Sequence, residues 1–317
     1  MSADPLPDPL SVTVRAPAKI NLFLGVGKVR PDGFHPLETI YQAVSLYDDV
    51  TASEAASLRV TVGSDRDIST DGVPTDGSNL AARAALLLAE HTGLDPAVHL
   101  HLHKGIPTAG GMAGGSADAA AALVACDALW GTALPRAELH ALATKLGSDV
   151  PFALMGGTAL GVGRGERLTP ALARGRFEWV LALADEGLST AEVYAECDRL
   201  RGRRVLPEPR ITDGLMAALR AGDAHALGAA LRNDLQPAAC SLRPALRQAL
   251  DLGEEHGALG GIVSGSGPTV AFLASGTEHA LDIALALGAS GVCASVKRAS
   301  GPTPAARLVE AAGPRRA

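Results

Sequence analysis

The chain has 317 residues, 47% hydrophobic and 20% charged, and its 28 basic and 34 acidic side chains give a formal charge of -6. This is the balance of an ordinary globular protein of one large or two typical domains; the lack of a basic excess or stripe argues against nucleic acid as a partner, and no run of about 18 uninterrupted apolar residues supports a membrane span. Cys126, Cys197, Cys240 and Cys293 are widely spaced with no C-x-x-C pair, which argues against a disulfide framework or metal site and fits a reducing cytoplasm.

Residues 1–10, with acids and Pro5, Pro7 and Pro9, lack the basic-then-apolar order of a signal peptide and read as a disordered extension. Residues 11–24 alternate around Pro17 as strand, break, strand. Pro31-Asp32-Gly33 is a turn, and 39–46 and 58–62 are further strands. A helix is predicted over 80–91, capped by Ser78 or Asn79. A strand over 97–103 then runs into a glycine-rich loop. The helix after it, 113–129, has small apolar residues on nearly every face and is expected to be buried. Another helix spans 134–146, and 157–168 reads as a glycine-studded hairpin.

A second start appears at the strand 179–184. Helices follow over 191–200, 211–221 and 224–231. Strands 258–263 and 269–273 flank Ser264-Gly265-Ser266-Gly267-Pro268, and a helix covers 278–287. The Pro-, Ala- and Arg-rich stretch 301–317 reads as a flexible tail. The expected domains are 11–168 and 177–300, and interleaved short strands and helices make the class α+β.

The most informative stretch is Pro107-Thr108-Ala109-Gly110-Gly111-Met112-Ala113-Gly114-Gly115-Ser116-Ala117-Asp118. Glycines let the backbone take positive φ and approach a ligand closely. The helix that follows offers free N–H groups and the positive end of its dipole to an anion. Successive amides in such a loop can form a nest for phosphate oxygens. Gly111-Met112 replace the Lys-Ser/Thr of a P-loop, the Rossmann spacing is absent, and Asp118 occupies the last glycine position of a nucleophile elbow. The plain alternative is a tight turn where helix and sheet pack closely.

This loop resembles the phosphate-binding motif of the GHMP kinases. Two further segments, in the family's order, strengthen the resemblance: Ala16-Pro17-Ala18-Lys19-Ile20-Asn21-Leu22 is similar to its first motif, and Ser264-Gly265-Ser266-Gly267-Pro268-Thr269 to its third. The first motif, with Asp32-Gly33-Phe34-His35 and Gly147-Ser148-Asp149-Val150-Pro151-Phe152, is similar to the branch that phosphorylates a diphosphocytidyl-linked sugar alcohol in non-mevalonate isoprenoid synthesis. The resemblance covers roughly residues 12–300. It implies an N-terminal domain like the second domain of ribosomal protein S5, with a left-handed βαβ crossover, and a ferredoxin-like C-terminal α/β sandwich domain.

The resemblance also implies roles. Asp149 becomes the catalytic base and Lys19 the lysine that keeps it ionised and orients the acceptor hydroxyl. Phe34 and Tyr194 become stacking faces for cytosine, with Phe34 standing where relatives have Tyr, while Asn21, His35 and Thr190 bind polar atoms of the cytidine or its phosphates. Ser264, Gly265, Ser266 and Gly267, in a C-terminal glycine loop that closes on the nucleotide side, are implied to bind the substrate. Lys104 and Asn79 match positions near the adenine of ATP, and Ser116 is placed for phosphate or Mg²⁺. No carboxylate pair for Mg²⁺ is legible, so ATP and water would hold the metal. A small-molecule acceptor, no nucleic acid, no membrane, and a monomer or weak homodimer are expected. Homoserine- or mevalonate-type acceptors, or a nucleotide-binding relative without catalysis, compete with this reading; the presence of both Lys19 and Asp149 argues against the last. His99, His101 and His103 alternate on one strand face, as a metal site would or as a polar sheet surface does.

Overall fold

In the computed structural model, which describes residues 10–108, 110–204 and 207–309, the chain opens on two long antiparallel strands, β1 (Ser11–Val26) and β2 (Leu37–Glu54). The expectations for residues 1–9, Ala109 and residues 310–317 lie outside the described residues. The break expected at Pro17 is a register shift within one strand: Pro17 stands opposite Tyr47, and Ala18 opposite Val44. Proline has no N–H for the ladder, and an irregularity there lets the strand continue past it.

Next come β3 (Arg59–Ser64), α1 (Leu80–Thr92), β4 (Val98–Lys104), α2 (Gly114–Trp130), α3 (Arg136–Leu146), α4 (Val150–Met155), β5 (Thr158–Gly163) and β6 (Arg167–Pro170). β2 pairs β1 along one edge; its other edge takes β4 at Asp49–Glu54 and β5 at Leu37–Gln42. β3 lies parallel to β4, joined through α1, and β5 and β6 form the expected hairpin. Asn79 caps α1, its Oδ1 accepting from the Ala81 amide.

The remaining elements are β7 (Phe177–Leu183), α5 (Thr190–Arg201), α6 (Asp213–Ala221), α7 (Ala224–Ala230), β8 (Arg232–Asn233), α8 (Gln236–Leu242), α9 (Ala245–Glu255), β9 (Gly260–Val263), β10 (Val270–Ala274), α10 (Thr277–Ser290), β11 (Ser295–Gly301) and β12 (Arg307–Leu308). The second sheet runs β11-β7-β10-β9 with every pair antiparallel. Counted in chain order that is 4-1-3-2, and helices connect its first strand to its second and its third to its fourth. This is the ferredoxin-like pattern.

Two short strands cross between the halves. β8 pairs parallel with Phe23 and Leu24 of β1, and β12 pairs antiparallel with Val14 and Arg15. Residues 301–309, expected as the start of a flexible tail, are therefore built into the fold. Gly301 ends β11, Pro304 bridges Gly156, and the Thr303 hydroxyl lies 2.8 Å from that of Tyr47. A Pro- and Ala-rich composition lowers strand propensity, but here backbone pairing on an existing sheet suffices.

The core centres on α2. Ala119 to Ala122, Ala125 and Cys126 are fully buried against β1, β2 and neighbouring helices, and their small side chains let the helix approach the sheet closely. Fully buried Trp179 joins the two sheets, its indole Nε1 donating to Gln42 Oε1 at 2.9 Å. The four cysteines are free, and no described helix is long and apolar enough to cross a membrane. Trp179→Phe would leave the buried Gln42 carbonyl without this donor; urea denaturation is expected to show a loss of about 1–3 kcal/mol at unchanged m-value.

Candidate active site

The glycine loop leaves β4 and enters α2 through Ala113, a non-glycine residue at φ 60°. On it lies the turn between β9 and β10. The Ser264 hydroxyl donates to the Gly111 carbonyl at 3.1 Å, and the Thr269 amide to the Gly110 carbonyl at 3.3 Å. Gly111 has φ +76°, and a Cβ there would collide with the Ser264 carbonyl oxygen and stand 2.8 Å from that of Gly267. Glycine is required at Gly111 for both reasons.

Two cavities of about 320 Å³ each border the glycine loop, one of them at this seam. Lys19, Asn21, Tyr41, Asp149, Thr190 and Tyr194 line one, with Gly111, Ala113, Gly265 and Ser266. Lys19 and Asn21 are two apart on β1 and share a face. The Lys19 ammonium lies 3.9 Å from Asp149 and donates to Asn21 Oδ1 at 2.8 Å, while the Asn21 amide donates to the Thr39 hydroxyl at 2.8 Å. Burial lowers the Lys19 ammonium from its ordinary value, and the Asp149 charge opposes that shift. Asp149 precedes α4 at the end of a Gly147-Ser148 turn, with its side chain 31% exposed. The pair sets a cation and a carboxylate together at a cavity wall, the arrangement that general-base chemistry needs.

Pro107, Thr108, Gly114 and Gly115 line the other cavity, with Asn79, Lys104 and Asp118. Lys104, expected near adenine, is 1% exposed and held between two aspartates. It pairs with Asp48, and with Asp118 at 2.5 Å. The other Asp48 oxygen accepts from the Gly105 and Ile106 amides at 2.8 Å each. Burial first and the Asp118 charge second push the Asp48 carboxyl up, and the Lys104 ammonium opposes that shift. The Lys104 ammonium thus faces the protein and ties both arms of the loop together. Asn79 is likewise engaged, its amide donating to the Pro74 carbonyl at 2.6 Å.

The remaining expected residues divide. Ser264 is buried beneath the seam, and the hydroxyls of Thr190 and Ser266 are 3.0 Å apart at the cavity rim. Ser116 borders neither cavity. His35 stacks on Tyr194, with centroids 5.0 Å apart, and contacts Asp198 at 3.0 Å. Phe34 stands outside, 50% exposed, with the Arg164 guanidinium 5.1 Å above its ring.

Sequence reasoning missed Tyr41 and Arg164 on the first cavity, and Asp48 and Asp118 behind the second. A clue to Asp118 existed: it is a charge one turn into a helix that has small apolar residues on nearly every face. Thr61 bridges His99 and His101 at 2.8 and 2.9 Å, and no cluster of three or more metal-binding side chains occurs among the described residues. A larger space of about 720 Å³ lies behind β1, where Arg201 and Arg232 both pair with Asp234 at 3.1 Å; neither glycine loop borders it.

The GHMP kinases N terminal domain family matches residues 79–157, and the GHMP kinases C terminal family matches residues 215–293. The chain is 58% identical over 306 residues to a 4-diphosphocytidyl-2-C-methyl-D-erythritol kinase of Thermobifida fusca, covering 95% of this chain and 99% of that one. To a protein of the same name from Mycolicibacterium smegmatis it is 54% identical over 303 residues, covering 95% and 93%. The crystal structure of a 4-(cytidine 5'-diphospho)-2C-methyl-D-erythritol kinase matches at TM-score 0.72 and 33% identity over 92% of this chain and 98% of that one. An L. major mevalonate kinase in complex with R-mevalonate, at TM-score 0.73 and 17% identity over 95% and 99%, shares the fold alone.

Lys104→Met would leave two carboxylates buried without their counter-ion. A stability loss of about 3–5 kcal/mol is expected in chemical denaturation, beyond any effect on nucleotide binding.

Proposed function

The chain belongs to the family of 4-diphosphocytidyl-2-C-methyl-D-erythritol kinases within the GHMP kinases, and we propose that Asp149 and Lys19 carry its reaction: transfer of the γ-phosphoryl group of ATP to the 2-hydroxyl of that diphosphocytidyl sugar alcohol. The carrying observation is the Lys19–Asp149 pair, 3.9 Å apart on a cavity wall that adjoins the glycine loop.

Asp149 takes the proton of the acceptor hydroxyl as its oxygen bonds to the γ-phosphorus and the bond to the ADP oxygen breaks. Lys19 favours the ionised carboxylate and neutralises charge beside the transferring group. The amides of the loop and the N-terminus of α2 receive the phosphates of ATP, which bind in the cavity bordered by Gly114, Gly115 and Thr108. A Mg²⁺ ion bound with ATP would offset the charge of the phosphates beside the glycine loop.

The cytidine end enters beside Tyr194. The Tyr194 ring, the Phe34–Arg164 pair and the rim hydroxyls of Thr190 and Ser266 offer stacking faces and polar partners there. This acceptor site separates the reading from one built on homoserine or mevalonate, which carry no base to stack.

ADP release is the test, with Mg-ATP and each of the diphosphocytidyl acceptor, homoserine and mevalonate. Turnover is expected with the cytidyl acceptor alone, and Asp149→Asn should lower it at least about 10²-fold. Turnover with another acceptor would reject the cytidine site, and near-normal turnover in Asp149→Asn would reject the base.

A further inference from the structure

Asp149 is held by little. Its one ion-pair partner among the described residues is Lys19 at 3.9 Å, and it makes no capping hydrogen bond to the helix it precedes. A base that must meet a hydroxyl in one geometry needs a firmer hold, because small misplacements cost turnover heavily.

Tyr41 faces the same cavity from β2. In the β1–β2 ladder it stands opposite Asn21, two residues from Lys19, so the three side chains share one face of the sheet. Its ring lies 5.7 Å below the Lys19 ammonium and packs on Phe152 of α4, the helix that begins beside Asp149, with centroids 5.0 Å apart. The residue as a whole is only 3% exposed. Tyr41 nonetheless borders the cavity that Asp149 lines.

The β5–β6 hairpin leaves room for this phenol. A Cβ at Gly161 would stand 2.8 Å from the Tyr41 ring, and one at Gly165, where φ is +100°, would collide with the hydroxyl itself. The glycines of the hairpin thus shape a slot that keeps one polar atom beside the base. Burial, and after it the charge of Asp149, hold the phenol well above its ordinary value, so it remains a protonated donor wherever Asp149 is ionised.

We propose that Tyr41 is a positioning residue for the transfer: its hydroxyl donates a hydrogen bond to one oxygen of Asp149 and turns the other oxygen toward the acceptor hydroxyl. The inference rests on Asp149 being the base. Tyr41 keeps its proton throughout; the acceptor proton passes to Asp149 as the new O–P bond forms and the bond from the γ-phosphorus to ADP breaks. The other titratable or charged groups around the pair are Lys19 on β1, Tyr194 on α5, and Arg164 and Glu166 at the hairpin turn.

The test compares the parent protein, Tyr41→Phe, Asp149→Asn and the double variant in steady-state turnover with ATP and the diphosphocytidyl acceptor. Tyr41→Phe retains the ring on Phe152, so its Tm should match the parent's. Its kcat should fall at least about 10-fold, the effect of one hydrogen bond to a charged group, with KM for ATP within about twofold. In the Asp149→Asn background the same substitution should change kcat no further, since the two residues act as a unit. Unchanged kcat in Tyr41→Phe, or an equal fold-loss in both backgrounds, would overturn the proposal while leaving the base intact. Near-normal turnover in Asp149→Asn would instead overturn the base assignment and this inference with it.

Discussion

Where Gly111 meets the turn from Ser264 to Gly267, main chain packs on main chain and no side chain fits between. That contact joins the two halves of the molecule at the point where the chemistry is proposed. It sets the first glycine loop under the second, puts Gly265 over the Lys19 ammonium, and borders the cavity that Lys19 and Asp149 line; the other cavity opens farther along the same loop. A nucleotide and an acceptor entering from opposite sides would bring their reacting atoms together at the seam. Phosphoryl transfer asks the protein mainly for such alignment and for charge neutralisation.

The loop can serve only if its two ends stay fixed, and the trio Asp48, Lys104 and Asp118 fixes them. Lys104 ends β4, Asp118 lies one turn into α2, and Asp48 reaches from β2 to the amides that begin the loop. Buried charges of this kind are a poor source of net stability, since desolvation offsets most of the attraction. Their effect is geometric: the loop backbone has one position relative to the sheet. On the acceptor side, Asn21 and Thr39 hold Lys19 in the same manner, through a chain of hydrogen bonds that ends on the Phe23 carbonyl.

Much of this was legible in the sequence because it rests on local signals. The glycine loop between strand and helix, the Asn79 cap, the β5–β6 hairpin and the strand–turn–strand at Ser264 each announce themselves within a dozen residues. The pairing of Lys19 with Asp149 and the ferredoxin-like sheet order do not; both were expected only through resemblance to a family. α4 has six residues, too few for a helical period to register, and β8 and β12 have two each, visible only once their partner strand is in place. Lys104 is placed near adenine by the family resemblance alone, and its pairing with Asp48, 56 residues away, has no local signal. Tyr41 does not stand out among the alternating residues of β2, since nothing local distinguishes a tyrosine that only packs from one that also borders a cavity.

The most direct test of the seam is the turnover of Gly111→Ala with ATP and the diphosphocytidyl acceptor, alongside circular dichroism to follow the fold. A methyl group at that position must push the two loops apart and misalign both cavities, so turnover should fall at least about 10²-fold while secondary structure is retained. Turnover within about twofold of the parent would contradict the account, because the close approach of the two loops would then be incidental to the reaction.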